Sequence, residues 1–144
     1  MKNKIYTKLV SLMKKANKHN EIAVAAIIVK NNKIISSAYN KRKKTNDVTA
    51  HAEIIAIRKA ERKFKDWRLD SCDMYVSLKP CSMCEAVIKE SRINRCYYLS
   101  NRLPFKKEYN KTKVSYKQTT YEEMLIKILQ KSFKKMRKNS WTML

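Results

Sequence analysis

Two short stretches decide the fold prediction: Thr49-Ala50-His51-Ala52-Glu53 and Pro80-Cys81-Ser82-Met83-Cys84. The first supplies an imidazole and a carboxylate, and the second supplies two thiols. Cys81 and Cys84 are three residues apart, so they lie on one side of a helix that begins at Pro80. Proline suits that position because it has no N–H to lose and its φ is already helical. The spacing predicts that both thiols bind one metal ion.

The spacing of His51 and Glu53 predicts a helix start. On the side of a helix these two residues would point about 200° from each other, so they converge only at an N-terminus. The polar segment Asn46-Asp47-Val48-Thr49 precedes an apolar-periodic run, which favours a helix start at that point. We therefore predict two helix N-termini that face each other. Their positive dipole ends favour the thiolate, which is the form that binds zinc.

His51, Cys81 and Cys84 form a donor set typical of catalytic zinc. Three protein ligands leave a fourth position for water, whereas structural zinc sites are closed. Zinc lowers the pKa of its bound water to about 7, and we predict that Glu53 carries the proton to the substrate. A lone Cys-x-x-Cys also fits a redox pair or half of a structural zinc site. Joined to His-x-Glu, it matches the signature of zinc-dependent nucleobase deaminases.

The charge of the chain is strongly positive. Its 144 residues include 34 Lys and Arg against 12 Asp and Glu, which gives a formal net charge of +22. A polyanion such as nucleic acid is the partner that this charge favours. The alternative is the codon bias of an AT-rich genome, because glycine is absent and only two prolines occur. Both interpretations stay open.

Length and cysteine content predict one cytoplasmic domain over residues 1–144. No run of 18 apolar residues is present for a membrane span, and residues 1–4 lead into no apolar signal-peptide core. We therefore predict no membrane partner. Cys72 and Cys96 remain beside the two metal-binding cysteines. We expect Cys96 to be a small buried apolar residue, Cys72 to have no role in the site, and no disulfide framework.

Hydrophobic periodicity predicts alternating helices and strands, with parallel pairing and right-handed crossovers in the strand-helix-strand units. Both zinc helices then start where the preceding chain leaves the sheet, a usual place for a ligand site. A later amphipathic stripe at Tyr121, Met124, Leu125, Ile128, Leu129 and Phe133 is more often core than a binding groove. The predicted helices are 5–16, 51–64, 81–90 and 121–136, and the predicted strands are 22–29, 33–39, 74–78, 95–99 and 113–117, with a turn at Asn31-Asn32.

From about Glu21 to Arg95 the chain resembles the bacterial tRNA-specific adenosine deaminases, which have the cytidine deaminase-like fold. This resemblance implies an α/β protein with a three-layer α/β/α architecture, in which helices flank a central mixed sheet of about five strands. The matching stretches are residues 21–26, Asn40, 49–54, Trp67-Arg68-Leu69, 74–78, 80–84 and Ser91-Arg92-Ile93.

The resemblance also implies a function. It assigns His51, Cys81 and Cys84 to Zn²⁺, Glu53 to proton transfer, and Asn40 and Ala52 to contacts with the bound nucleoside. The reaction it implies is hydrolytic conversion of adenosine to inosine at the wobble position of an arginine tRNA anticodon. The implied partner is the tRNA anticodon stem-loop, and the implied assembly is a homodimer.

Three departures from the family pattern leave the substrate open. Lys79 stands where these enzymes usually carry Glu, Ala25 replaces a usual Gly, and Asn101-Arg102-Leu103-Pro104 replaces a usual Arg-Asp. One alternative is a deaminase of a free base or nucleoside such as cytosine, cytidine or guanine, or of another nucleic acid. Another is a zinc- or RNA-binding protein without activity.

Overall fold

The computed structural model describes residues 1–101, 113, 115, 117 and 122–141. The chain divides into two compact units, residues 1–104 and 105–144, which are described separately. The single domain over residues 1–144 therefore stays a prediction. No helix among the described residues is long and apolar enough to cross a membrane.

The first unit follows the predicted order of elements closely. Its helices and strands are α1 (Lys2–Lys18), β1 (Ala25–Lys30), β2 (Lys33–Tyr39), α2 (Arg42–Thr45), α3 (Ala52–Phe64), β3 (Asp73–Val76), α4 (Ser82–Glu90) and β4 (Arg95–Tyr98). The short helix α2 lies in a connection for which no helix was predicted.

The sheet is mixed, with strand order β2-β1-β3-β4. β1 pairs antiparallel with both β2 and β3, while β3 and β4 are parallel and are connected through α4. The predicted mixed sheet and the parallel crossover are therefore confirmed. Four strands lie in the described part of the chain. The predicted fifth strand covers residues 113–117, of which only alternate residues are described.

Helices cover both faces of this sheet, which confirms the three-layer architecture. Ile5, Leu9 and Leu12 of α1 pack with Ile27 on one face. On the other face, α3 and α4 pack on the alternate strand residues, with Ile57 among the buried side chains. Alternation along β1 sends neighbouring side chains to opposite layers, so one strand contributes to both cores.

The hairpin between β1 and β2 turns without glycine. Asn31 and Asn32 have φ values of 49° and 59°, and they connect Lys30 to its partner Lys33. Both turn residues therefore occupy the left-handed region, which Asn tolerates better than most residues. The predicted Asn-Asn turn is confirmed.

The first strand begins later than predicted. β1 starts at Ala25, and Ile22 is 60% exposed where a buried strand residue was expected. The N–H of Val24 donates to the carbonyl of Ile22 at 2.7 Å, which closes a tight turn. An apolar run alone could not reveal this turn, because backbone hydrogen bonding and not hydrophobicity sets the first residue of the strand.

All four cysteines are free, as predicted. Cys72 is buried, whereas Cys96, which was expected to be buried, is half-buried against the α3/α4 side of the core. Burial, together with the carboxylates of Glu53 and Glu85, raises the pKa of Cys96 to about 11. Burial also raises the pKa of the Cys72 thiol, so both thiols stay protonated at neutral pH and behave as small apolar side chains.

The second unit contains α5 (Glu122–Trp141) among its described residues, where a helix over 121–136 was predicted. The predicted burial of the apolar stripe is wrong for Met124, Ile128, Leu129 and Phe133, which are all exposed. No second helix or strand is described within this unit to cover them. Tyr121 and the side chain of Leu125 lie outside the described part of the chain.

We expect Ile57→Ala to lower the free energy of unfolding by about 2–5 kcal/mol, because it leaves a cavity between α3 and the sheet. The Ile57 side chain is 2% exposed. Ile22→Ala removes the same atoms from an exposed position and is expected to change stability by less than about 0.5 kcal/mol. Urea denaturation of both variants measures the difference, and equal effects would contradict this packing.

Candidate active site

Two helix starts carry the predicted metal ligands. His51 and Cys81 are the N-cap residues of α3 and α4, each with an extended backbone at φ −75°, ψ 153° and φ −72°, ψ 169°. Cys84 follows within the first turn of α4. The predicted helix start at Pro80 is wrong by two residues, since α4 begins at Ser82 and Pro80 precedes the N-cap Cys81. Cys81 at the cap turns its side chain toward the helix start, where His51 lies.

The three donor atoms meet at a spacing that suits zinc. Nδ1 of His51 lies 3.6 Å from Sγ of Cys81 and 3.4 Å from Sγ of Cys84. All three donors lie within 4.8 Å of one another. Zn–N and Zn–S bonds of about 2.0 and 2.3 Å at a tetrahedral angle place N and S about 3.5 Å apart. The predicted set of His51, Cys81 and Cys84 therefore fits Zn²⁺.

The electrostatics of the site also call for a cation. Burial raises the pKa of the Cys84 thiol strongly, and the Glu53 carboxylate and the Cys81 thiol raise it further. Burial is the largest cause of this shift, and it acts against the thiolate that the helix start is expected to favour. A divalent cation reverses the balance, since a coordinating thiol loses its proton. Two cysteines and a carboxylate can therefore be buried beside one imidazole when a metal ion is bound, because the positive charge of the metal offsets their negative charge.

Glu53, Ala52 and Asn40 surround the donor set. Glu53 is 3% exposed in the first turn of α3, close enough to Cys84 to shift its pKa. Ala52 lies between His51 and Glu53 and is fully buried. Asn40 follows β2 and is 6% exposed. Its side-chain oxygen Oδ1 is buried and has no hydrogen-bond partner among the described residues. A buried acceptor without a donor is costly, so this oxygen is suited to a ligand.

Hydrogen bonds from the sheet hold α3 and the segment that leads into α4. The Ser36 hydroxyl on β2 donates to the carbonyl of Ala56 on α3 at 2.7 Å. The Ser77 hydroxyl, just after β3, accepts from the N–H of Ala25 at 3.0 Å. Two residues further on, the N–H of Lys79 donates to the carbonyl of Ser100 at 2.9 Å. The chain therefore leaves β3 in a fixed direction toward Cys81.

A cavity of about 640 Å³ lies along the exposed face of α1, lined by Tyr6, Val10 and Lys14 among others. It carries none of the residues that converge on the donor set. Since α1 covers the opposite face of the sheet from α3 and α4, we place the active site at the donor set and not at this cavity.

Comparison with protein families agrees with this geometry. Residues 1–100 match the family model described as the cytidine and deoxycytidylate deaminase zinc-binding region. The chain belongs to this deaminase family. The match includes every residue of the donor set, together with Glu53 and Asn40.

Among curated members of the deaminase family, the chain is similar to several proteins named tRNA-specific adenosine deaminase, which confirms the resemblance. It is 37% identical to the one from Buchnera aphidicola subsp. Schizaphis graminum over 131 residues, which is 85% of this chain and 87% of that protein. It is 42% identical to the Agrobacterium fabrum protein over 83 residues, 58% of this chain, and 47% identical to the Rickettsia bellii protein over 81 residues, 55% of this chain. It spans 55% and 56% of the lengths of these last two relatives.

Solved structures give the same fold. A structure from studies of A-to-I editing by tRNA:A34 deaminases superposes with a TM-score of 0.67 at 35% identity, covering 71% of this chain and 79% of that chain. Guanine deaminase from Bacillus subtilis superposes with a TM-score of 0.75 at 25% identity, covering 87% and 90% of the two chains.

Lys79 departs from the family pattern without entering the donor set. Its side chain is exposed, and its Nζ lies 5.9 Å from the centroid of the exposed Tyr98 ring. The ammonium is thus held over an aromatic face and faces solvent. Sequence reasoning missed two other residues near this site, Ser77 and Glu21, which are both buried. Their contacts join distant parts of the chain, and no local spacing could have indicated them.

We expect the purified protein to contain about one zinc per chain and Cys84→Ser to lose most of it, because serine is a poor zinc ligand. Cys96→Ser is the matched control, since it replaces a half-buried thiol outside the donor set. Elemental analysis after gel filtration measures both. Equal zinc content in the two variants would contradict the assigned ligands.

Proposed function

We propose that the chain catalyses zinc-dependent hydrolytic deamination of adenosine to inosine at the wobble position of a tRNA anticodon, of the arginine tRNA type. The observation that carries this proposal is the meeting of His51, Cys81 and Cys84 beside buried Glu53. It is supported by 37% identity to the Buchnera tRNA-specific adenosine deaminase over most of both chains. The reaction consumes water and releases ammonia.

His51, Cys81 and Cys84 would hold the zinc, which when bound supplies an activated water molecule. Glu53 would take one proton from the attacking water and deliver it to the ring nitrogen, and it would then carry the second proton of that water to the amino group, which leaves as ammonia. The burial of Glu53 suits this task, because its carboxylate exchanges protons with bound groups and little with solvent. The surrounding apolar side chains, such as Ile54 and Val87, exclude bulk water from the site.

Asn40 is proposed to orient the nucleoside. Its buried Oδ1 accepts a hydrogen bond from a donor on the substrate, which satisfies an oxygen that has no partner among the described residues. Ala52 would contact the substrate at the start of α3, between the ligand His51 and the acid-base residue Glu53.

The proposed substrate is the anticodon stem-loop, whose loop bases are already out of the duplex. The net charge of +22 supports a polyanionic substrate, since lysines along its path neutralise phosphates. We further propose that the enzyme acts in the cytoplasm as a homodimer, as the family resemblance implies.

A second candidate is the deamination of a free base. The observation that favours it is the superposition on guanine deaminase from Bacillus subtilis, which extends over more of this chain than that on the tRNA:A34 deaminase structure. Lower sequence identity, 25% against 35%, places it second.

We expect Glu53→Gln to keep the zinc and the fold but to lower kcat by at least about a hundred-fold, because the amide cannot move protons. Glu90→Gln is the control, since it removes the same charge at the far end of α4. Steady-state deamination and metal analysis of both variants test the assignment. Near-normal turnover by Glu53→Gln would rule out the proposed role.

We expect the zinc-loaded protein to convert adenosine to inosine in an arginine tRNA anticodon stem-loop and not to act on free adenosine, cytosine, cytidine or guanine. Only the stem-loop offers phosphates for the basic surface beside the reacting base. Mass spectrometry of the products measures the amino-to-oxo change in each substrate. Turnover of free guanine alone would instead establish the second candidate.

A further inference from the structure

Four consecutive cations stand between two residues of the site. Residues 41–44 read Lys-Arg-Lys-Lys, and we call them the basic turn. They directly follow Asn40, and the N–H of Lys41 donates to the carbonyl of Ala50 at 3.0 Å. Ala50 is the residue before His51, so this bond closes the connection and brings the basic turn back to the metal-binding helix start. The turn therefore lies at the rim of the site.

A buried acid holds the basic turn from outside the connection. Glu21 is 5% exposed, and its Oε1 and Oε2 accept the N–H groups of Lys44 and Lys43 at 2.8 and 3.3 Å. These amides are at the second and third positions of α2, where a cap residue normally bonds. The actual N-cap of α2, Lys41, makes no side-chain cap bond. Glu21 thus serves as the cap of α2 from a distant part of the chain.

The two hydrogen bonds to Glu21 fix the orientation of the basic turn. The backbone amides point inward to Glu21, while the side chains of Arg42, Lys43 and Lys44 are exposed. Lys41 lies apart from them, with its Nζ 5.1 Å from the centroid of the Tyr39 ring. Within the described residues, none of these four cations forms a salt bridge with an acidic side chain.

Neighbouring cations that form no salt bridge repel one another, so a cluster of them on the surface suggests that it binds an anion. A phosphate backbone supplies one, because several negative charges in sequence match several exposed cations in sequence. The nearby acid, Asp47, does not neutralise the turn, since it accepts from Thr49 and pairs with Arg58.

We infer that the basic turn binds phosphates of the RNA strand next to the base that enters the site, and that Glu21 is the positioning residue that holds it there. This inference rests on the proposed function. It separates two tasks: Asn40 and Glu53 act on the reacting nucleoside, whereas the turn acts on its flanking backbone. Loss of the charges of the basic turn should therefore weaken substrate binding and leave the chemical step intact.

The first test is a pair of charge-matched double variants of the zinc-loaded protein. One is Lys43→Gln with Lys44→Gln, and the other is Arg62→Gln with Lys63→Gln in the last turn of α3. Position 63 is about 18 Å along the helix from His51 at 1.5 Å per residue. We expect the turn variant to raise KM for the stem-loop about ten-fold, with kcat within about two-fold. We expect the control to change neither constant by more than about two-fold.

Salt dependence gives a second readout on the same proteins. Each lost contact to single-stranded phosphate should reduce the slope of log binding constant against log salt by about 0.7. The turn variant should therefore lose about 1.4 from the slope, while the control keeps the wild-type value.

The role of Glu21 is tested with Glu21→Gln, which keeps the size of the side chain. We expect faster hydrogen exchange at the Lys43 and Lys44 amides, a raised KM and a retained kcat, with unchanged zinc content. General destabilisation would instead lower zinc content and speed exchange throughout the unit. Unchanged exchange at these two amides would overturn the role of Glu21.

The outcomes separate the inference from the function on which it rests. If the wild type deaminates the stem-loop but both double variants have the same KM and salt slope, the basic turn is not the phosphate contact. If the wild type does not deaminate the stem-loop at all, the proposed function fails, whatever the variants do.

Discussion

The structure depends on bringing three metal donors together at two helix starts. His51 and Cys81 cap helices that pack side by side on one face of the sheet, and Cys84 completes the set one turn later. Such a meeting requires that the chain return to the same edge of the sheet before each helix. β1 pairs antiparallel with both β2 and β3, so β2 and β3 run in the same direction and end at the same edge, before α3 and α4 respectively. α4 then connects β3 to the parallel strand β4. The direction of these strands is therefore what allows His51, Cys81 and Cys84 to meet.

Charge is distributed unevenly between the site and its surroundings. The chain carries +22 overall, yet its deepest ionisable groups near the donor set are acidic: Glu53, Cys81 and Cys84. Burial raises the pKa of Cys84, and the neighbouring Glu53 carboxylate raises it further, so the thiolate is unfavourable here without a cation. A divalent cation removes this cost, so metal binding and stability of the site are coupled. Cations are kept outside, at the basic turn and at Lys79, where water and a polyanion can reach them.

Local patterns predicted much of this structure because their causes are local. The Asn31-Asn32 turn follows from the tolerance of Asn for positive φ, and strand β2 was predicted with its observed limits. The donor set was predicted because the spacing of Cys81 and Cys84 restricts where a helix can place two thiols. Errors arose where bonding or context decides: Ile22 is turned outward by a single backbone bond, and the stripe on α5 was assumed to have a neighbour.

Glu21 shows why part of a site escapes prediction from sequence. Its carboxylate bonds two amides 22 and 23 residues away, and neither end of that contact has a distinctive spacing. Acidic residues are scarce in this chain, 12 against 34 basic ones, and Glu21 is one of the few that are buried. A buried carboxylate needs backbone or cationic partners. Here the partners are amides, which leaves the lysine side chains free to face outward. Because Glu21, and not a residue of the donor set, holds the basic turn, the proposed phosphate contact can change without displacing the metal ligands.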